Sequence, residues 1–128
     1  MRLLLDTHAL LFWISDPSKL GPNATRAIKD RENEILWSIA STWEVSIKVG
    51  LGKLVLPGPV DEVIPEELNR HGFTLLPIEH AHVMAVAKLP MHHRDPFDRL
   101  LVAQAFAEGV ALVSKDSLIS PYGIGILW

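Results

Sequence analysis

A short, continuous apolar run at the start of the chain constrains the fold more than any other feature of the sequence. Three consecutive leucines, Leu3 to Leu5, are followed directly by the acidic residue Asp6. A strand that is apolar on both faces must be covered by other elements on both sides, which is typical of the parallel sheets of α/β proteins. The run therefore predicts a buried strand that ends in a carboxylate.

Short strands alternate with helices along the rest of the sequence. Apolar runs and periodic patterns predict strands at 34–38, 73–77, 110–114 and 124–128, and helices at 9–14, 22–30, 41–49, 60–70, 79–88 and 96–108. Within the helix at 60–70, Pro65 predicts a break or kink. The alternation predicts an α/β fold with a central, mostly parallel sheet and right-handed crossovers. A chain of 128 residues has the length of one domain, spanning 1–128.

The composition excludes several classes of protein. Without cysteine the chain forms no disulfide, thiolate nucleophile or zinc site with sulfur ligands, and the lack of disulfides suits the cytoplasm. The formal net charge of −3 argues against a protein that coats nucleic acid with a basic surface. No apolar segment is long enough to cross a membrane. Asp6 and His8 interrupt the apolar start, which argues against a signal peptide.

Five carboxylates are predicted to meet at one edge of the sheet, where strands end, helices begin and ligands bind. Asp6 and Asp116 follow predicted strands. The other three lie in the first turns of predicted helices: Glu44, Asp95 and Asp98. Converging carboxylates repel one another unless a counter-charge is present, and Mg²⁺ or Mn²⁺ supplies that charge while accepting oxygen ligands. The pattern therefore indicates a metal site suited to phosphoryl transfer.

Structural roles for the same acids remain open. Ser41 and Glu44 have the spacing of a capping box in which Ser41 is the N-cap. Asp95 has the position of an N-cap, and Asp116 is suited to a turn. Asp6 is harder to explain in this way, because an unpaired carboxylate at the end of a buried strand is energetically costly.

Four segments carry a more specific pattern: LLLDTHAL at 3–10, SIASTWEVSIK at 38–48, HRDPFDRLLVAQA at 93–105 and LVSKD at 112–116. In their order and approximate spacing they resemble PIN-domain proteins. The closest resemblance is to the VapC-type toxin ribonucleases of bacterial VapBC toxin–antitoxin modules. It spans nearly the whole chain, from residue 3 to residue 116.

The resemblance implies a PIN-like, three-layer α/β/α sandwich and a metal-dependent endoribonuclease that hydrolyses RNA phosphodiester bonds with Mg²⁺ or Mn²⁺. Asp6, Glu44 and Asp98 match the acidic core of the family, and Asp116 matches its fourth, more variable acid. These four are the candidate catalytic and metal-binding residues. The resemblance also implies that the chain is the toxin of a type II toxin–antitoxin system, cytoplasmic, homodimeric and inhibited by a VapB-like antitoxin.

Four more residues are secondary candidates. Asp95 belongs to the Arg-Asp-Pro-Phe-Asp pattern of this toxin branch. Thr7 and Ser114 match small hydroxyl positions from which a side chain bonds to a ligating carboxylate or a water. Lys48 follows Glu44 by four residues, the favourable order for a helical ion pair, and positioning a phosphate is its alternative role.

Other interpretations stay open beside this one. A PIN-like module that binds without catalysis is one alternative, and a haloacid-dehalogenase-type phosphatase is another, although His8 stands where that chemistry needs a second aspartate. For His93, a contact with RNA phosphate and a solvated loop are both open. The apolar stretch around Phe12 and Trp13, with the helix at 43–49, suits either the core or a surface for an antitoxin or a second copy.

Overall fold

The structure, a computed structural model that describes all 128 residues, is built around a five-stranded sheet in which every pairing is parallel. The strands are β1 (Arg2–Leu5), β2 (Glu34–Ser38), β3 (Thr74–Leu76), β4 (Ala111–Val113) and β5 (Ile126–Leu127). Their order across the sheet is β3-β2-β1-β4-β5, so β1 lies at the centre. This confirms the predicted α/β class and the predicted parallel sheet.

Six α-helices connect the strands: α1 (Thr7–Ser15), α2 (Pro22–Lys29), α3 (Ile39–Gly50), α4 (Val60–His71), α5 (His80–Val86) and α6 (Pro96–Glu108). Short 3₁₀ turns lie at Pro17–Lys19 and Ser120–Tyr122. None of the helices combines the length and the apolar character that crossing a membrane requires. All six predicted helices are present, with ends that differ by a few residues.

Alternating side chains of the central strand pack into two separate cores. Leu3 and Leu5 contribute to a core with α1, α2 and α4, whereas Leu4 contributes to a second core with α6, against which α5 packs. All three leucines are fully buried. Because residues i and i+2 of a strand share a face, these cores lie on opposite sides of the sheet. Helices on both sides confirm the three-layer α/β/α sandwich.

The central place of β1 determines where a crevice opens. From β1 the chain moves through β2 to β3 on one side, and the later strands β4 and β5 lie on the other side. At such a switch point the connections leaving neighbouring strands diverge, and ligands bind in the crevice at the carboxyl ends. Asp6 directly follows β1, and Asp116 comes soon after β4.

The start of α3 differs from the prediction. The helix begins at Ile39, and its N-cap is Ser38, whose hydroxyl accepts a hydrogen bond from the Ala40 N–H at 3.0 Å. Strand β2 ends at that same serine, so the chain passes from strand to helix without a loop. The predicted capping box of Ser41 and Glu44 is therefore wrong, because both residues lie inside the helix.

Helix α4 also differs from the prediction, since it is continuous through Pro65. Proline lacks the N–H that would donate to the carbonyl of Asp61, four residues earlier. Both residues lie on the exposed side of the helix. The break predicted at Pro65 is absent.

Candidate active site

A cleft with a volume of about 480 Å³ opens at the carboxyl edge of the sheet, in the crevice beside β1. Three of the predicted acids line it: Asp6, Asp98 and Asp116. They come from the end of β1, the first turn of α6 and the turn after β4. The other residues that line the cleft are His8, Phe12, Lys115 and Ser117.

Asp6 is held at the end of β1 by the start of α1. Its N–H donates to the Val113 carbonyl at 3.0 Å, and its Oδ1 accepts from the Ala9 N–H at 2.8 Å. Asp6 is only 5% exposed. Burial raises the pKa of Asp6, although hydrogen bonds from Ser114 and Ala9 act against the rise. The helix N-terminus therefore offsets only part of the cost of burying this carboxylate.

Glu44 is buried in α3, and both of its carboxylate oxygens have partners. Its Oε1 accepts from the Thr7 hydroxyl at 2.5 Å, and that hydroxyl lies 3.0 Å from Ser41 Oγ. Its Oε2 accepts from Lys48 Nζ at 2.6 Å, which confirms the predicted i,i+4 ion pair. The charge of Glu44 also contributes to the raised pKa of Asp98, so it acts on the cleft electrostatically.

Asp95 and Asp98 share the first turn of α6 but have different partners. Asp95 is the N-cap of α6, which confirms the structural role predicted for it. Its Oδ1 accepts hydrogen bonds from the Phe97 N–H at 2.8 Å and the Asp98 N–H at 3.2 Å. Asp98 faces the cleft. Burial, followed by the negative charge of Asp95, raises the pKa of Asp98 to about 7. Of the acids in the cleft, Asp98 has the fewest hydrogen-bond donors to balance the negative charge of its ionised form.

Asp116 lies in a turn after β4, which fits its predicted structural role. Its Oδ1 accepts from the Leu118 N–H at 2.9 Å, and its own N–H donates to Ser114 Oγ at 3.1 Å. Partial burial acts to raise the pKa of Asp116, but the Leu118 N–H and His93 outweigh it and lower that pKa. Asp98 and Asp116 therefore differ in proton affinity although they line the same cleft.

His93 is buried between two of the acids, so the solvated loop considered for it is wrong. It is 7% exposed, and its Nε2 lies 2.7 Å from Asp116 Oδ2 and 3.2 Å from Asp98 Oδ2. Its Nδ1 accepts a hydrogen bond from the Asp95 N–H at 3.0 Å. Because Nδ1 is an acceptor, the ring carries a proton on Nε2 and donates it to the acids. His93 thus links α6 to the turn after β4.

A buried arginine fixes the segment that carries His93. Arg99, on α6, is 9% exposed and donates to five acceptors, none of them a carboxylate. These acceptors are the Tyr122 hydroxyl and the carbonyls of Val86, Leu89, Pro90 and His93. The Tyr122 hydroxyl also accepts from the His93 N–H at 2.9 Å. One feature of the sequence pointed to a buried Arg99: it lies three residues before Val102, on the side of α6 that faces the core.

The donor set of the cleft fits a hard divalent cation held by carboxylates. Possible ligand atoms of His93, Asp98 and Asp116 lie within 4.8 Å of one another, which by distance alone suits a metal ion. Nε2 of His93 is not free to be a ligand, however, while Nδ1 accepts the Asp95 N–H. Hard cations such as Mg²⁺ also prefer oxygen ligands. His93 is therefore better described as a donor that orients the acids than as a ligand.

Comparison with known proteins identifies the family to which this chain is similar. The chain matches the model of the PIN domain over residues 3–122. It is 30% identical over 114 residues to Ribonuclease VapC22 of Mycobacterium tuberculosis, which covers 89% of this chain and 86% of that protein. It is also 46% identical over 61 residues to Ribonuclease VapC16 of the same organism, which covers 47% of this chain and only 43% of that protein.

Solved structures share the fold at low sequence identity. VapBC2 from Rickettsia felis, bound to a promoter DNA fragment, has a TM-score of 0.71 at 16% identity, covering 98% of this chain and 97% of that chain. DNA-bound VapBC from Salmonella typhimurium has a TM-score of 0.72 at 16% identity, covering 98% and 96%. At these identities, the matches support the sandwich architecture alone.

The raised pKa of Asp98 predicts how the stability of the metal-free protein depends on pH. Native Asp98 keeps its proton up to about pH 7, whereas an unfolded aspartate loses it near a pKa of about 3.9. The native state binds more protons in this window, so this contribution to stability is present at low pH and is lost as the pH rises through 7. Denaturant unfolding in EDTA at a series of pH values should show a smaller loss in Asp98→Asn, while the exposed control Asp61→Asn keeps the parental slope. Equal slopes in all three proteins would contradict the prediction.

The position of His93 predicts a loss of stability when its donor is removed. In His93→Ala the half-buried carboxylates of Asp98 and Asp116 lose a shared N–H, and we expect the free energy of unfolding to fall by about 1–3 kcal/mol. His93→Gln keeps an N–H group and should recover part of the loss. The exposed His80→Ala is the control, and denaturant unfolding measures all three. A His93→Ala variant as stable as the parent would show that the contact contributes nothing.

Proposed function

This chain belongs to the PIN domain family, and on that basis we propose that it is a metal-dependent endoribonuclease and the toxin of a type II toxin–antitoxin pair. The observation that carries the proposal is the cleft in which Asp6, Asp98 and Asp116 meet. Relatives named as VapC ribonucleases support RNA as the substrate. Family membership also sets aside the dehalogenase-type phosphatase.

The three carboxylates that line the cleft, Asp6, Asp98 and Asp116, would hold the cation, Mg²⁺ or Mn²⁺. Glu44 is the fourth proposed ligand: each of its oxygens already accepts one hydrogen bond, and a carboxylate oxygen keeps a second lone pair for a cation. Such a cation, when bound, polarises a phosphodiester and lowers the pKa of a water molecule. The chain contributes oxygens that are already fixed, because Asp6 is bonded to α1 and Asp116 is bonded to its own turn. The raised pKa of Asp98 supports the same assignment, since a cation favours the ionised form of this carboxyl group.

The polar residues around the acids act as positioning residues. Thr7 and Lys48 each bond one oxygen of Glu44, which fixes the plane of that carboxylate. The hydrogen bond to Glu44 raises the pKa of Lys48, so the ammonium group stays charged. Ser114 bonds the backbone N–H of Asp116 and stabilises the ionised form of Asp6.

A VapB-like antitoxin is the proposed protein partner, and an apolar groove beside α1 is its proposed binding site. The groove is lined by Leu11 and Ile14 of α1 and by residues 54–57, of which Val55 is 90% exposed. Exposed apolar grooves accept the apolar side of a peptide segment. The VapBC complexes that share this fold support such a partner. The cysteine-free composition supports the cytoplasm as the place where both act.

A second copy of the chain is the proposed partner of α3. Exposed apolar residues recur every four positions along one side of this helix: Ile39, Trp43, Ile47 and, at its C-cap, Leu51. A single apolar stripe on a helix is self-complementary when a second copy packs against it around a two-fold axis. The stripe therefore supports a homodimer in which the two α3 helices meet.

Asparagine substitutions test the catalytic acids. Asp6→Asn and Asp98→Asn keep the side-chain volume but remove a negative charge, so we expect Mn²⁺-dependent RNA cleavage and growth inhibition to fall to background. Asp95→Asn should retain more activity, because the Asp95 carboxylate caps α6. Gel assays on labelled RNA, with the fold checked by circular dichroism, measure these effects.

The matched control is Asp61→Asn, on the exposed side of α4, which should cleave like the parent. Retained cleavage in both Asp6→Asn and Asp98→Asn would overturn the site assignment. If the antitoxin-free parent cuts no RNA with either cation, the alternative of a PIN module that binds without catalysis gains instead.

A charge in the middle of the α3 stripe tests the homodimer. In Ile47→Lys the dimer would have to bury an unpaired ammonium group, so the molar mass from light scattering should fall to that of one chain. Glu66→Lys, on the exposed surface of α4, is the control and should remain dimeric. A parent that is monomeric at the same concentration would contradict the proposal.

A further inference from the structure

A cluster of aromatic and basic side chains lies beside the acids. It consists of Phe12, Trp128, Lys19 and Lys115, which we call the Phe12 patch. The rings of Phe12 and Trp128 meet edge to face with centroids 6.2 Å apart. Lys115 Nζ lies 5.0 Å from the Phe12 centroid and 5.9 Å from the Trp128 centroid, and Lys19 Nζ lies 5.7 Å from the Phe12 centroid. Two ammonium groups therefore gather on one aromatic pair.

The rings hold these lysines without neutralising them. Neither Lys19 nor Lys115 forms a salt bridge, whereas Lys48 is paired with Glu44. A cation–π contact attracts an ammonium group through the ring quadrupole and uses none of its three N–H donors as conventional hydrogen bonds. Both lysines thus keep N–H donors that no carboxylate of this chain occupies.

Two of the four patch residues line the cleft of the acids. Phe12 and Lys115 line the same cavity as Asp6, Asp98 and Asp116, and Phe12 is its only apolar lining residue. Trp128 packs closely against Gly21, where an added Cβ would collide with it. Apolar and positively charged side chains do not bind a divalent cation, so Phe12 and Lys115 must serve another purpose in the cleft.

We propose that the Phe12 patch binds a backbone phosphate of an unpaired RNA strand, next to the phosphate that lies at the acids. The proposal rests on the proposed function and extends it to the part of the substrate outside the scissile bond. A strand with one phosphate at the carboxylates must place neighbouring phosphates close by, and Lys19 and Lys115 supply the charge for one of them. The two half-buried rings add an apolar surface for contact with an unstacked base.

RNA fits this site better than an acidic protein segment does. A nucleic acid strand carries a phosphate on every nucleotide, so one strand meets both the patch and the cation held by the acids. Unpaired strands also bring base faces that stack on aromatic side chains, which an acidic peptide lacks. The patch is therefore assigned to single-stranded RNA.

Binding without cleavage tests the patch. Fluorescence anisotropy with a short labelled single-stranded RNA, in EDTA and in an Asp98→Asn background, gives the affinity over a series of salt concentrations. Lys19→Gln and Lys115→Gln should each weaken binding several-fold, and each lost phosphate contact should reduce the slope of log K against log salt by about 0.7. Phe12→Leu should weaken binding through the freed lysines. The control Lys29→Gln, at the end of α2 and the opposite edge of the sheet, should change neither quantity.

The outcomes separate the patch from the ribonuclease proposal. Unchanged affinity and salt slope in both lysine variants would overturn the patch, even if metal-dependent cleavage is confirmed. A reduced slope with no cleavage by the parent under any metal would support the patch and overturn the ribonuclease. Equal, patch-dependent binding of a poly-glutamate peptide would overturn the assignment to RNA. The lysine variants lie on the surface, so their effects do not depend on refolding of the core.

Discussion

Burial of the first strand is the constraint on which the rest of this structure depends. Leu3, Leu4 and Leu5 are fully buried between two cores, so β1 occupies the centre of the sheet. Asp6, the residue that follows the strand, therefore lies in the interior as well. A carboxylate is tolerated there because α1 begins at the next residue and offers its N-terminus. The Asp6 N–H bonds the end of β4, which brings the turn that carries Asp116 to the same edge. The position of the cleft thus follows from the burial of one strand.

The acids around the cleft are compensated unequally, and this inequality suits a cation site. Glu44 has a partner for each oxygen, and Asp116 has both a backbone donor and His93. Asp98 receives only a longer contact with His93 and shares its helical turn with Asp95, so its pKa rises to about 7. A site whose ligands were all fully compensated would gain little from a cation. Here the chain fixes the geometry of the oxygens and leaves part of their charge for a cation to balance.

The elements and the shared edge could be predicted from the sequence because their signals are local. Runs of apolar residues gave the strands, and the order of strands and helices gave the edge at which Asp6, Asp98 and Asp116 meet. The N-cap of α3 was misplaced: the strand end at Ser38 was predicted, but nothing in the local pattern shows that the helix begins at the next residue without a loop. The role of His93 was not predictable, because it depends on Arg99 and Tyr122 holding one segment from two distant parts of the chain. Contacts between such distant residues are determined by the packing of the folded chain and produce almost no periodic pattern in the sequence.

The net charge of −3 does not oppose an RNA substrate once the charges are located. Without the five acids of the predicted edge, the formal charge of the chain would be positive, so the acidity is local and a bound cation would reduce it. Lysines paired with Asp6, Asp98 or Asp116 would have competed with a cation for the oxygens that line the cleft. The Phe12 ring contacts Lys115, which lines the cleft, and Lys19, and neither lysine occupies a carboxylate. Because the lysines contact aromatic rings and the carboxylates stay available, one cleft of a small chain is able to attract a divalent cation and a polyanion side by side.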